Sequence, residues 1–331
     1  MKKIFLLSVA ATLICSVSFA KIWRVNNNNG VAADFTTAQA ANDAAAVLNG
    51  DTIHLEPSLT NYGGIDVTKR LTWISTGAFT DIYPNEQFSV NVGKVSTLNV
   101  YQPGCQNSVF QIYVTGDIII DQVGITINRC YVQGFIAFNY YYSNINNNNT
   151  VTSSFILGLG GVGINEGNNI VISNNIIGSQ VNVGTGTILA IITNNVINAA
   201  YATAGNISNS IVENNIFNKT NAAYTFTNTS VQYNMSGAAG VLPAGNNNQN
   251  NITMNNVFVN NDGATDSSFV LKAGSPAIGA GSSSVNLGAF GGISPFKLKM
   301  QPPIPAIYKI QASSIATGNT LNVTFSTKSN N

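Results

Sequence analysis

Two acidic residues and one basic residue are the strongest candidate in the sequence for catalytic chemistry. Asp117, Asp121 and Arg129 follow one another in a short segment. A pair of carboxylates can cleave glycosidic bonds by acid–base chemistry, and clustered carboxylates can bind Ca²⁺. Asp117 and Asp121 share one face only if the strand between them is unbroken. The interpretation that we favour places both acids at turns and strand edges, with Arg129 on the surface.

The remaining acids and the histidine give weaker candidates. Asp66, Asp81 and Glu86 lie in segments predicted to be loops, where carboxylates are solvated. His54 should point outward, opposite to Ile53, and we expect a lone outward histidine to be solvated. Because the chain holds one histidine, it offers no histidine pair for a zinc site.

A run of tyrosines is the strongest candidate for ligand binding. Tyr140, Tyr141 and Tyr142 precede an asparagine-rich run at 144–149. Exposed aromatic rings beside amides can stack on sugar rings and hydrogen-bond their hydroxyls. The alternative is that half of these rings point into the core.

Charge is sparse and balanced along the chain. The 331 residues carry 14 basic and 13 acidic side chains, a formal net charge of +1. This balance argues against binding nucleic acid through bulk charge. Between Tyr131 and Asn261 the acids are Glu166 and Glu213, so the middle of the chain has no acidic cluster.

The first twenty residues have the pattern of a bacterial export signal. Lys2 and Lys3 precede an apolar run at 4–17 and a small-x-small cleavage site that ends at Ala20. The apolar run is too short to span a bilayer. We therefore expect export through the Sec pathway, cleavage after Ala20, and a secreted or cell-surface product without a membrane span.

A repeat of about twenty residues must position these side chains. The segment 170–177, I-V-I-S-N-N-I-I, has related copies at 190–197 and 210–217. Each apolar run is short and rich in β-branched residues, which favours strands, and asparagine tolerates the left-handed backbone of a tight corner. About 20 residues suffice for three short strands and three turns. The sequence therefore predicts an all-β fold, a right-handed parallel β-helix solenoid.

The second asparagine of each pair should stack from coil to coil. Aligned amides can then hydrogen-bond along the stack, as in other cross-β structures. The predicted members of this structural ladder are Asn175, Asn195, Asn215, Asn234 and Asn256.

Both ends of the solenoid should be covered, because open strand edges recruit other strands. The run Thr36–Gln39 resembles a capping box, and apolar residues at helical spacing up to Gly50 predict an N-terminal capping helix. Three prolines near 302–305 predict a stiff linker before a short C-terminal β-hairpin tail. The predicted organisation is a signal peptide at 1–20, a strand and capping helix at 21–50, a parallel β-helix at 51–295, and a linker and tail at 296–331.

Two cysteines follow the signal, and their pairing stays open at this point. Cys105 and Cys130 could form a disulfide in an oxidising compartment. We favour two buried free thiols, because two cysteines make no disulfide framework and a solenoid needs none.

These motifs together resemble a known family. The order of a G-D-T-I strand at 50–53, a K-R-L-T-W-I strand at 69–74 and I-x-N-N-I-I coils is similar to the pectate-lyase-like right-handed parallel β-helix proteins. The segments S-P-A-I-G-A-G at 275–281 and N-L-G-A-F-G-G at 286–292 resemble the closing signature of secreted bacterial members. Gly279 and Asn286 stand where that signature commonly has acids. The resemblance covers about residues 22–295 and implies the fold.

The resemblance leaves two functions open. Members of this superfold include lyases that hold Ca²⁺ with carboxylates and use arginine or lysine as a base, and also inert or adhesive solenoids. We expect a non-catalytic extracellular or cell-surface β-helix protein that contacts glycans and needs no cofactor. The alternative is a carbohydrate-active enzyme, a polysaccharide lyase or glycoside hydrolase, with Ca²⁺ as cofactor in the lyase case. Ice or mineral binding is disfavoured, because Ser173, Thr193 and Glu213 are not a regular threonine array.

Overall fold

The chain forms a parallel β-solenoid of about eight turns, which confirms the predicted all-β solenoid. The computed structural model describes residues 20–79, 89, 91–138, 146–158, 161–199, 204–218, 223–312 and 320–329. The predicted signal peptide up to residue 19, Asp81, Glu86 and the three candidate tyrosines lie outside these residues. In the described part, each regular turn contributes one strand to each of three parallel sheets.

The three sheets follow one another around each turn. Sheet 1 comprises Ile22–Val25, Thr52–Leu55, Thr72–Ile74, Val109–Gln111, Thr126–Asn128, Thr150–Thr152, Ile170–Ser173, Ala190–Thr193, Ser210–Glu213 and Ser230–Gln232. Sheet 2 comprises Lys94–Val95, Tyr113–Val114, Tyr131–Val132, Phe155–Ile156, Ile176–Ile177, Val196–Ile197, Ile216–Phe217 and Met235–Ser236. Sheet 3 comprises Ile65–Asp66, Leu98–Val100, Ile118–Ile120, Ile136–Phe138, Val162–Gly167, Val181–Thr187, Ala204–Ser208 and Ala223–Thr227.

Side chains alternate between inward and outward directions along each strand, and the inward ones fill the interior with apolar groups. Ile172, Ile192 and Val212 are in register in sheet 1 and fully buried. Their neighbours Val171 and Ile191 point outward and are half-buried. Because a strand directs successive side chains to opposite faces, every coil buries a similar set, and the stacked sets form one continuous core.

The second asparagine of each pair lies in a buried column. Nδ2 of Asn175 donates to Oδ1 of Asn195 at 3.0 Å, and the same bond joins Asn195 to Asn215 and Asn215 to Asn234. Each of these Oδ1 atoms also accepts the backbone N–H of the preceding asparagine at 2.8–3.0 Å. The column therefore satisfies polar groups inside the core that would otherwise be costly to bury.

Asn256 does not belong to this column. The next amide after Asn234 is that of Asn248, whose Oδ1 accepts Asn234 Nδ2 at 3.1 Å. Asn256 ends a 3₁₀ turn, Met254–Asn256, and is exposed. The 3₁₀ turns of the described chain are Pro103–Cys105, Met254–Asn256, Asp266–Phe269, Ser282–Ser284 and Leu298–Met300. The regular coils have ended before this position, so a locally similar sequence does not continue the stack.

The N-terminal helix is present but shorter than predicted. It spans Ala38–Asp43, and Oγ1 of its N-cap, Thr37, accepts the N–H of Ala40. The backbone leaves the helical region at Ala44, whose carbonyl accepts Nζ of Lys69 at 2.6 Å. After the helix Val47 is still buried in the core, whereas the later apolar position at Leu48 is 55% exposed.

The first residue of each asparagine pair forms the corner between sheets 1 and 2. Asn174, Asn194 and Asn214 have φ angles of 54–59°, in the left-handed region that asparagine tolerates. Arg129 and Ser153 occupy the equivalent corners of earlier coils, with φ angles of 53° and 50°. The corner side chains of Arg129, Asn174, Asn194 and Asn214 contact a later part of the chain.

That later part, here called the returning segment (residues 275–301), runs back along the outside of sheet 2. Asn214 Nδ2 donates to Ser282 Oγ at 3.2 Å, Asn194 Nδ2 to the Asn286 carbonyl at 3.2 Å, and Asn174 Nδ2 to the Gly291 carbonyl at 2.8 Å. As residue numbers rise in the segment, the corner numbers fall. The segment therefore returns from the last regular coils towards the first ones.

A second apolar core lies between the returning segment and sheet 2. Sheet 2 contributes a row of apolar side chains that point away from the solenoid interior: Phe155, Ile176, Val196, Ile216 and Met235. The returning segment contributes Ala277, Leu287, Ala289, Phe296 and Met300. This packing explains why both positions of the Ile–Ile pairs are apolar, since one faces each core.

The tail beyond the linker is an antiparallel hairpin. Its strands are Ala306–Ala312 and Val323–Lys328, and Ile310 pairs with Phe325. Both of these apolar side chains are exposed, at 41% and 57%. Cys105 and Cys130 are free, buried thiols.

Candidate functional site

The structure separates the three residues that were candidates for catalysis. Asp117 and Asp121 lie at opposite ends of the strand Ile118–Ile120, so about 13 Å of extended chain lies between them. Asp117 Oδ1 accepts the Phe135 N–H at 3.1 Å, and Asp121 is fully buried. Arg129 lies at the corner of sheets 1 and 2 and donates Nη1 to the Gln301 carbonyl at 2.9 Å. Asp117 and Arg129 thus hydrogen-bond the backbone of neighbouring segments, and the three candidates do not form a common site.

The other acids in the middle of the solenoid are also dispersed. Glu213 is in register with Thr193 and accepts the side-chain amide of Gln232 at 3.1 Å. Glu166 lies in a strand of sheet 3 and is exposed. Among the described residues, no group of three or more His, Cys, Asp or Glu side chains is placed to hold a metal ion.

The outer face of sheet 1 belongs to the sheet with the most strands, ten in the described part of the chain. Each strand contributes two outward side chains, and these line up across successive strands as two parallel columns. The β-branched column comprises Thr72, Val109, Thr126, Thr150, Val171 and Ile191. The polar column comprises Gln111, Asn128, Thr152, Ser173 and Thr193. The members named here are uncharged, and the polar column continues after Thr193 with the acidic Glu213. All of the named members except the buried Gln111 are half-buried.

The geometry of the outer face follows from the parallel register. Thr150, Val171 and Ile191 are in-register partners, so their side chains repeat at the strand spacing of about 4.8 Å. The polar column repeats beside them, and Ser173 Oγ donates to Thr152 Oγ1 at 3.3 Å. Between Thr72 and Thr193 the outer face therefore presents a strip of methyl groups next to hydroxyls and amides, and this strip ends at Glu213. This strip can contact C–H groups and hydrogen-bond hydroxyls without desolvating a charge.

A cleft lies at the N-terminal end of this face, beneath the linker. It encloses about 290 Å³. One side is the solenoid, with His54, Pro57, Thr76 and Ser89, and the other is the linker and hairpin, with Gln301, Pro302, Ile304, Pro305, Ala306 and Ile307. The lining is therefore mostly apolar, with a few polar side chains.

His54 lies in this cleft and is not simply solvated. Its side chain points outward as predicted, but the returning chain covers it. Burial lowers the pKa of His54 below the ordinary value of 6.5, an effect that Arg24 reinforces and Glu56 opposes. Nε2 of His54 and Oγ1 of Thr76 are buried and have no hydrogen-bond partner in the part of the chain that the structure describes. Sequence reasoning missed this environment, because only the returning segment brings the proline-rich linker over the first coils.

No helix in the described part of the chain combines the length and apolarity needed to cross a membrane. Comparison with known proteins does not place the chain in a family: no protein-family model, curated protein or solved structure matches it.

Proposed function

We propose that this chain is a non-catalytic extracellular or cell-surface solenoid of the pectate-lyase-like type, which contacts a neutral polysaccharide through the outer face of sheet 1. The observation that carries the proposal is the part of the double column between Thr72 and Thr193, which holds no charged side chain. Over six successive strands it exposes β-branched side chains beside hydroxyls and amides. The export pattern of the first twenty residues supports an extracellular location.

A neutral polysaccharide suits this face for chemical reasons. Sugar rings combine C–H surfaces with many hydroxyls, and the two columns supply a partner for each kind of group. A charged polymer would lose hydration on the strip without gaining an ion pair. The side chains of the face stand on strands of one continuous parallel sheet, so little order is lost on binding.

Retention on insoluble polysaccharides tests the proposal. The purified protein should be retained by at least one neutral polymer from a panel of cellulose, xylan, mannan and chitin, and not by polygalacturonate. The variant Val171→Lys places a charge in the middle of the outer face and should abolish retention. Thr225→Lys, on the exposed side of sheet 3, is the matched control and should retain the wild-type behaviour.

The same polysaccharide panel tests the enzymatic alternative when the supernatants are analysed for cleavage products. Soluble products should be absent, with and without added Ca²⁺. Ca²⁺-dependent release of unsaturated products, or release of reducing ends, would replace the proposal with a lyase or a hydrolase. Equal retention of wild-type and Val171→Lys protein would rule out the outer face as the contact surface.

A further inference from the structure

The cleft beneath the linker has the features of a small binding site. His54 and Thr76 both line this space, and each has one buried polar atom, Nε2 and Oγ1 respectively, that lacks a partner among the described residues. Buried polar groups in folded proteins are nearly always hydrogen-bonded, so two unpaired atoms at one place call for a bound partner. Ser89 and Gln301 add further hydrogen-bonding groups to the same lining.

The size and walls of the cleft restrict its occupant. A volume of about 290 Å³ lies at the lower end of the range of ligand pockets, so it fits a single small ring. Pro57, Pro302 and Pro305 present C–H surfaces, and none of the described residues that line the cleft is acidic, a lysine or an arginine. An uncharged ring with several hydroxyls satisfies both the apolar walls and the unpaired polar atoms.

The cleft lies in the same row of sheet 1 as the polar column. His54 is in register with Ile74, and Ile74 with Gln111, the first member of the polar column. We propose that the cleft binds one uncharged sugar residue, a chain end or side branch of the glycan that contacts the outer face, an inference that rests on the proposed function. His54 and Thr76 hydrogen-bond the hydroxyls of this residue, and the proline rings contact its C–H face.

The single histidine makes this site directly observable. Because His54 is the only histidine of the chain, the ¹H–¹³C signals of its ring are unique in an untagged protein. The probes are the methyl glycosides of glucose, mannose, galactose and xylose. At least one should shift the His54 signals in a saturable way, with no comparable effect from glucuronate.

Paired variants separate binding from folding. Thr76→Val removes the unpaired hydroxyl and keeps the shape of the side chain, so it should weaken the sugar by roughly fivefold to tenfold, as expected for one lost hydrogen bond. Thr225→Val on sheet 3 should bind as the wild type does. Equal affinity of the Thr76→Val and wild-type proteins would overturn the assignment of Thr76.

The outcome also distinguishes this inference from the proposed function. Retention on a neutral polymer with His54 signals that no sugar moves would overturn the cleft proposal and leave the outer face in place. A saturable shift without polymer retention would support the cleft and contradict the outer face. Absence of both would end both proposals.

Discussion

Asn195 donates its side-chain amide to Oδ1 of Asn215 across 3.0 Å, and both residues are fully buried. Asn195 also donates to the Ile172 carbonyl at 2.8 Å, and its Oδ1 accepts two N–H groups of Asn175 at 3.0 Å. One side chain thus satisfies polar groups of the coils before and after its own. The stability of the solenoid should depend strongly on this column.

Removal of one member tests that dependence. Asn195→Ala leaves several buried donors and acceptors unpaired, at about 1–3 kcal/mol each. We expect the free energy of unfolding to fall by about 3 kcal/mol or more, measured by urea denaturation. Asn206→Ala, at an exposed position of sheet 3, should change it by less than about 0.5 kcal/mol. Similar losses in the two variants would contradict a special role for the column.

The corner asparagines should hold the returning segment by two separable effects. Asn174 has a φ of 55° and donates to the carbonyls of Ala289 and Gly291. Asn174→Gly accepts the left-handed backbone and loses the amide, whereas Asn174→Ala loses the amide and also strains the left-handed backbone. We expect both variants to speed tryptic cleavage at Lys297 and Lys299, and the alanine variant to be less stable by about 1 kcal/mol. Cleavage at the wild-type rate would show that this corner does not hold the segment.

A glycine in sheet 3 makes room for a buried tyrosine. A Cβ added to Gly205 would lie 2.2 Å from Cε1 of Tyr224, its in-register partner. Gly205→Ala should cost about 1–3 kcal/mol through overpacking. Gly163→Ala in the same sheet meets nothing within 4 Å and is the matched control. In the Tyr224→Ala background the penalty at Gly205 should shrink, as a double-mutant cycle can measure; an undiminished penalty would exclude this contact as its cause.

The covered histidine should make stability depend on pH. The pKa of His54 is lowered from 6.5 in the folded state, so the unfolded chain binds more protons between the two values. The contribution of His54 is therefore complete above pH 6.5 and is lost as the pH falls towards the lowered value. Urea denaturation between pH 7.5 and 5.5 should show this decline, and His54→Gln should flatten it. Parallel curves for the two proteins would contradict the burial of His54.

The two thiols should be unreactive in the native protein. Burial raises the pKa of Cys130, and that of Cys105, to about 12, so almost no thiolate exists at pH 8. Alkylation with iodoacetamide at pH 8, read out by peptide mass mapping, should leave both residues unmodified until denaturant is added. Rapid native labelling, or a peptide pair joined by a disulfide, would contradict this prediction.

The regular coils were predictable from the sequence because each repeats its local signals. Asn175, Asn195 and Asn215 are twenty residues apart and flanked by β-branched residues, and the structure aligns them in one column. Asn248 was not predictable in the same way, because it follows Asn234 by only 14 residues in a run without β-branched neighbours. The motif around Asn256 resembles the repeat more closely, so the sequence pattern predicted Asn256 as the last member of the ladder.

The second core and the cleft were not predictable, because they depend on distant segments. Ile176 faces the returning segment and Ile177 faces the solenoid core, yet the two are identical in type. A local sequence pattern indicates that a side chain is buried, but it does not indicate which part of the chain packs against it. His54 was correctly predicted to point outward, but its cover comes from residues near Pro302, far away in sequence.

The returning segment gives the molecule a defined length. Its contacts at Ser282, Asn286 and Gly291 meet three successive corners, at Asn214, Asn194 and Asn174, in a fixed order. A stack of interchangeable coils could gain or lose one unit without disturbing its interior. Here the insertion or deletion of a coil would move the corner asparagines out of line with their partners in the returning segment. The segment therefore favours a single number of coils.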